Sequence, residues 1–332
     1  MSLVKKKDKK DFSMKRTGIT YVVRLEDEAP LNENMVEDTF NIHKRITLLN
    51  GTEKAKRSGN SVKAQHRRAL LDFLALDETQ CDPTVKACGR CLSCALHGFV
   101  MVERFPTPEE KSAMHSSLVS FSDMVSVETS DECITGLEET MLKSPSLSKE
   151  GSPQPFHYER VKAGTHLVGT AYLTLTGRKT MYEVTFEDEQ QVIDAFWYGL
   201  RSILTNQTYQ LTPMTARHDT RLAPVFLVVS EVQTLPADVM VSPDLTKTTL
   251  QDIISDLKSK VSMIQNILRK NNSNNKIEIV EEEKTADYLS SRGSIKNTHV
   301  TLKIKKEIEK ESKGETKKES KEEPVESKNE SD

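Results

Sequence analysis

Four of the chain's five cysteines stand in one short stretch that reads C-D-P-T-V-K-A-C-G-R-C-L-S-C: Cys81, Cys88, Cys91 and Cys94. Two cysteines separated by two residues turn both sulfurs toward one ion, and Gly89 permits the tight turn this needs. Cys88, Cys91 and Cys94 crowd three sulfurs together, and Cys81 reaches back across Pro83 to supply a fourth. Four thiolates suit a tetrahedral zinc ion; an iron–sulfur cluster and a metal-free loop are the competing readings. His97 is a possible substitute ligand, although a loop histidine reads as well. A closed four-thiolate site has no open coordination position, so a Zn²⁺ held there staples a loop and does no chemistry.

The 332 residues allow one large domain or two modest ones. Hydrophobic residues make up only 36% and charged residues 29%, so part of the length is expected to stay unpacked. The net charge of −3 hides an uneven distribution: residues 1–105 are basic on balance and residues 106–156 acidic. A basic N-terminal third suits an anionic partner. No apolar run approaches the roughly 20 residues of a membrane span, and the lysine-rich start lacks a signal peptide's apolar core. Clustered thiols fit a reducing compartment, so a cytoplasmic location is expected, with no membrane partner. The remaining cysteine, Cys133, reads as a small idle thiol.

Taken in order, residues 1–16 form a basic flexible arm. Residues 18–25, G-I-T-Y-V-V-R-L, read as a strand, and residues 41–50 as a second short one ending at the Asn50-Gly51 turn. A glycine- and lysine-bearing loop at 51–60 feeds a helix at 61–76, where Val62, Ala69, Leu70, Phe73 and Leu74 share one face. A basic loop running into a helix N-terminus offers N–H groups and cations together, as a phosphate requires; a solvated face is the plainer reading. Residues 106–156, rich in Ser, Thr, Glu and Pro, read either as an exposed insertion such as a long hairpin or as a partly disordered segment. Strands are expected at 164–176, 178–187 and 224–231, with a helix at 188–205 in which Trp197 belongs to the core. A last packing helix spans roughly 247–270, and from about 305 the chain is a disordered Lys/Glu/Ser tail.

With insertions removed, the order is β-α-β-β-α-β, an α+β, ferredoxin-like or RRM-like pattern. It divides the chain into an arm (1–16), an RRM-like core (17–245) carrying a zinc-binding insertion (77–105) and a thumb-like one (106–160), a C-terminal helix and extension (246–304) and a charged tail (305–332). The aromatic motifs with which an RRM stacks bases are missing, so base stacking on the sheet is not the expected mode.

Four stretches then carry a resemblance: H-R-R-A-L-L-D-F, the cysteine block continuing as C-G-R-C-L-S-C-A-L-H-G-F, H-Y-E-R-V-K-A-G-T-H-L, and Y-Q-L-T-P-M-T-A-R-H-D-T-R. In this order they resemble the crRNA-binding backbone subunit family of CRISPR type I-D effectors. The resemblance implies an RRM-like palm, a thumb and a zinc-stapled insertion. It also implies head-to-tail polymerisation along the spacer of a crRNA, other effector subunits as neighbours, and bases left to pair with target DNA in antiviral defence. The cations suited to gripping the sugar-phosphate backbone are Lys56, Arg57, Lys63, Arg67 and Arg68, then Arg160 and Lys162, then Arg217 and Arg221. The acidity of 106–156 departs from a nucleic-acid clamp and suits a neighbouring copy's basic face.

A binding protein rather than an enzyme is therefore expected. The rival enzyme reading is metal-dependent cleavage of a target strand by carboxylates of the loop 26–39, such as Asp27 and Asp38. Two further rivals are a stand-alone zinc-stapled nucleic-acid-binding protein and a scaffold without nucleic acid.

Overall fold

A computed structural model describes residues 16–28, 34–37, 40–75, 81, 87–101, 113–136, 138–142, 154–175, 182–184, 188–205, 222–232, 241–270, 275–297 and 299–304. In chain order the elements are β1 (Arg16–Leu25), β2 (Asn34–Glu37), β3 (Phe40–His43), β4 (Arg45–Thr47), β5 (Glu53–Arg57), α1 (Gly59–Ala75), α2 (Leu92–His97), β6 (Phe99–Met101), β7 (Ala113–His115), β8 (Val119–Phe121) and β9 (Met124–Ser126). There follow α3 (Ser130–Cys133), β10 (Glu138–Leu142), β11 (Gln154–Tyr158), β12 (His166–Thr174), β13 (Tyr182–Val184), α4 (Glu189–Leu204), β14 (Leu222–Val232), α5 (Leu250–Lys270), β15 (Lys276–Glu281), α6 (Glu282–Ser290) and β16 (Leu302–Ile304). None of the described helices is long and apolar enough to cross a membrane.

Strand β1 sits in the middle of an eight-stranded sheet ordered β15-β14-β1-β12-β9-β5-β4, with β8 also pairing β12. It runs antiparallel to β12 on one side and β14 on the other, Tyr21 lying opposite Gly169 and Leu227. A strand covered on both faces needs apolar residues pointing both ways, which is why I-T-Y-V-V shows no polar alternation. Ile19, Tyr21, Val23 and Leu25 point into one core together with Leu167, Leu173, Leu227, Phe196 and Trp197. Val22, Val168, Phe226 and Val228 point the other way, onto Ile253, Leu257 and Val261 of α5. The result is a mixed α/β fold in three layers, with α1 and α4 on one face of the sheet and α5 on the other. Each large apolar side chain fully buried this way contributes roughly 1.5–3 kcal/mol.

The expected strand–helix–strand–strand–helix–strand order is present, but a different segment supplies its second strand. β8 and β9, from within the segment read as an insertion, pair antiparallel with β12. β12 is therefore the third strand of the pattern, not the second. In the segment 178–187, β13 pairs with β16 in a separate two-stranded sheet. Three-residue strands are too short for an alternating pattern to show, and the exposed edge of β12 is what orders β8 and β9.

The supposed loop 51–60 is also corrected. After a turn at Leu48–Thr52, with Gly51 at φ 82°, the chain forms the hairpin β4–β5, and β5 joins the sheet through β9. The lysines that suggested a solvated loop mislead here, because Lys54 is fully buried and donates to the Val127 carbonyl at 2.6 Å. Past α5, β15 extends the sheet beside β14, and α6 packs against both; neither was expected. The arm before Arg16 and the tail from 305 lie outside the described residues.

Candidate metal centre and nucleic-acid interface

The four cysteines converge. Their sulfurs all lie within 4.8 Å of one another, with Cys81 Sγ 3.5 Å and Cys88 Sγ 3.9 Å from Cys94 Sγ. Tetrahedral thiolates at about 2.3 Å from zinc stand roughly 3.8 Å apart, so this geometry fits one zinc ion and is too tight for a cluster of several irons.

Local backbone makes the arrangement. Gly89 takes φ 71°, turning the chain between Cys88 and Cys91. Backbone N–H groups of Cys88, Cys91 and Cys94 donate to the sulfurs of Cys81, Cys88 and Cys91 at 3.5, 3.3 and 3.4 Å. Such donors favour thiolate, the ligating form. Cys91 and Cys94 are fully buried against Leu74, Ala87 and Phe99, while Cys81 and Cys88 are half-buried. The four-cysteine cluster is thus positioned to coordinate a structural Zn²⁺.

The short helix α2 carries Cys94 and is bolted to the rest of the fold. His97 does not ligate: its Nδ1 lies 3.1 Å from the Ser93 carbonyl and its Nε2 2.9 Å from His66 Nδ1 on α1. His66 Nε2 in turn reaches the Phe196 carbonyl on α4 at 3.0 Å. His115 Nε2 donates to the Ala95 carbonyl at 2.8 Å, and Val300 N–H to the Arg90 carbonyl at 2.9 Å. These contacts tie the cysteine loop to α1 and α4, the two helices on one face of the sheet.

The expected cations fall into two groups. Lys56 and Arg57 lie on β5, and Lys63, Arg67 and Arg68 on α1. Lys56 Nζ lies 3.4 Å from Asp123. Arg57 is fully buried, its Nε and Nη2 donating to Ser61 Oγ at 3.2 and 3.1 Å. Lys63 and Arg67 are half-buried, Arg67 reaching the Gly98 carbonyl at 3.4 Å, and Arg68 is exposed. Arg160, 3.5 Å from Glu28, and exposed Lys162, donating to the Glu132 carbonyl at 2.7 Å, form the second group beside α3. Arg217 and Arg221 lie outside the described residues.

The start of α1, open to a phosphate seat or a solvated face from the sequence, is met by the chain's own carboxylate: Gly59 N–H donates to Asp123 Oδ1 at 2.8 Å. Asp123 was not expected, since a lone aspartate between two short strands carries no local signal. In the acidic loop, Glu26 pairs with Arg24 at 3.0 Å and Glu28 with Arg160, while Asp38 lies outside the described residues. Among the described residues the cysteines are the one group of three or more potential ligands close enough to share an ion.

No protein-family model matches the chain, and no curated protein matches its sequence. Solved structures do match in shape. A chain of a CRISPR RNA-guided surveillance complex, pre-nicking, aligns with a TM-score of 0.51 at 10% identity, over 81% of this chain and 93% of that one. A chain of another CRISPR RNA-guided surveillance complex gives 0.47 at 13% identity over 84% and 93%. Thermofilum pendens Csc2 gives 0.43 at 14% identity over 82% and 80%. The first exceeds 0.5, and at 10% identity what the two chains share is the fold.

Proposed function

We propose that this chain, sharing its fold with a chain of a CRISPR RNA-guided surveillance complex, is the crRNA-binding backbone subunit of a type I-D interference complex. The observation that carries the reading is that shared fold, which spans 81% of this chain and nearly all of the other. In this reading β1, α1, β8–β9, β12, α4 and β14 are an RRM-like palm, and the cysteine loop is its zinc-stapled insertion. Copies polymerise head to tail along the spacer in the cytoplasm beside other effector subunits, and the bases pair with target DNA.

The layering supports a grip on backbone rather than bases. An RRM stacks bases on the sheet face opposite its helices, and here α5 covers that face. RNA is then held from the periphery by Arg68, Lys63, Lys56, Arg160 and Lys162, with Arg217 and Arg221 added from outside the described residues. Binding of this kind weakens steeply with salt and ignores sequence.

Binding, not cutting, is the proposed role. The Asp27→Ala, Asp38→Ala double variant is expected to leave target-strand cleavage by the assembled complex unchanged; lost cleavage would assign this subunit the cut. The primary test is to co-express the protein with its partner subunits and a crRNA array, purify it at moderate salt and sequence the nucleic acid that accompanies it. Short RNAs of uniform length carrying spacer sequence are expected. Protein free of nucleic acid from cells that make crRNA would overturn the reading.

A further inference from the structure

The last described strand is tied to the cysteine loop through the backbone. Beyond α6 the chain turns at Gly293, whose φ of 80° lets the turn lie directly on α4: a Cβ there would meet Tyr198 N at 2.5 Å. Further on, His299 forms a single antiparallel bridge with Cys91, and Val300 N–H donates to the Arg90 carbonyl at 2.9 Å. Both anchors belong to the metal centre. Cys91 is one of the four ligands, and Arg90 stands in the turn between Cys88 and Cys91. On its far side the segment is held more lightly. Val300, 4% exposed, packs into the main core, and Thr301 N–H donates to Asp188 Oδ2 at 2.8 Å. Among the described residues β16 pairs with β13 and with no other strand.

An isolated pair of short strands is marginal at best in water. β16 therefore keeps its place only while its flank is held, and at 299–300 that flank is held by the cysteine loop. The loop in turn keeps its shape through the ion. Four thiolates within 4.8 Å of one another repel, and a divalent cation among them is what lets them stand so close. Without it the four sulfurs no longer share a centre, and Gly89, at φ 71°, gives the turn between Cys88 and Cys91 the freedom to open. The Arg90 carbonyl and the Cys91 backbone then leave their places opposite Val300 and His299. β1 pairs with β12 and β14 along its length without the loop, so the opening is local.

We propose that the metal centre latches the C-terminal strand: zinc on the four cysteines keeps residues 299–304 in their seat, and loss of the metal frees them while the sheet stays folded. The lysine- and glutamate-rich sequence from 305 onward then starts from a point that the metal centre fixes or releases. The latch carries the zinc's effect beyond its own loop, and it does not rest on the RNA-binding reading.

Amide hydrogen exchange read by mass spectrometry tests this on the full-length protein, first loaded with zinc and then stripped of it by a chelator. Peptides covering 299–304 are expected to exchange at least about tenfold faster in the metal-free protein, while those of β1, β12 and β14 keep their protection and added zinc restores the slow rate. Unchanged exchange at 299–304 would overturn the latch. So would loss of protection throughout the sheet, because the zinc would then hold the whole fold rather than one strand. Reciprocity supplies a second readout, since whatever zinc does for the strand, the strand does for zinc. Asp188→Ala removes the acceptor of Thr301 N–H from outside the loop, and should weaken zinc binding about threefold in competition with a chromogenic chelator. Binding equal to wild type would show loop and strand to be uncoupled. Should this variant fail to fold, the exchange result on the wild-type chain decides alone.

Discussion

Asp123 accepts the backbone N–H of Gly59 at 2.8 Å, capping α1 from the link between β8 and β9, 64 residues further along the chain. The carboxylate's other oxygen lies 3.4 Å from Lys56 Nζ. An internal anion thus occupies the helix N-terminus that a phosphate would otherwise favour. Asp123→Ala should lower the unfolding free energy by about 1 kcal/mol, the usual worth of a cap, and Asp123→Asn by less, because an amide oxygen still accepts. Urea denaturation of the two variants checks this; equal losses would mean that the charge on Lys56, not the cap, is what matters.

The cysteine loop should bind one zinc per chain, measured by elemental analysis. Cobalt exchanged into the site should show the intense visible bands of a tetrahedral thiolate complex. Cys81→Ser removes the one ligand that lies away from the C-x2-C-x2-C run, so zinc content should fall and thermal unfolding should shift down. An iron-coloured protein, or a full zinc complement in the variant, would contradict the four-sulfur assignment.

Burial holds the His66 imidazole at about 4, with Lys63 adding to the depression and the Phe196 carbonyl opposing it; burial, His66 and Arg67 hold His97 well below its ordinary value. Burial disfavours the charged form of both rings in the folded protein, while in the unfolded chain they take up protons near pH 6.5. Their stability contribution is complete above about pH 6.5 and is lost as pH falls toward 4, because the unfolded state binds more protons across that window. For His66 alone the loss is on the order of 3 kcal/mol. Urea midpoints measured from neutral pH down into that acid window should fall in wild type, and a His66→Gln, His97→Gln variant should have a flatter profile from a lower start.

Gly199 lies on α4 under the His66 ring, where a Cβ would meet Nε2 at 2.5 Å. In an exposed helix, Gly→Ala gains about 1 kcal/mol. Here overpacking costs roughly 1–3 kcal/mol, since the ring is held at both nitrogens and cannot give way. Gly199→Ala should therefore destabilise the fold despite alanine's better helix propensity, and a raised denaturation midpoint would show the ring to be mobile.

Arg57 and Arg68 were read alike from sequence, yet one is fully buried and the other exposed. Arg57→Ala should cost about 2 kcal/mol of stability through its lost hydrogen bonds to Ser61. Arg68→Ala should stay within about 0.5 kcal/mol of wild type. If the RNA-binding reading holds, Arg68→Ala should reduce the salt dependence of RNA binding by about one unit of slope. Parallel stability and salt titrations separate the two roles.

The sequence by itself determined whatever depends on neighbours within one or two turns of chain. Four thiols spaced by two and six residues need only local turns to converge, so the metal centre was legible without the fold. Helices α1, α4 and α5 and strands β1 and β14 are long enough for apolar spacing to reveal them, and the Asn50-Gly51 turn carries its own chemistry. Tertiary structure alone decided which segment completes the sheet. β8 and β9, three residues each, become strands only because β12 presents an edge to them. It also decided that Lys54 and Arg57 turn inward, that Asp123 reaches the start of α1, that α5 covers the sheet's second face, and that Val300 meets the cysteine loop. Each depends on groups distant in sequence, and burial is a property of the assembled layers: the same lysine or arginine reads as solvent-facing until the fold supplies carbonyls and hydroxyls that can hold it inside.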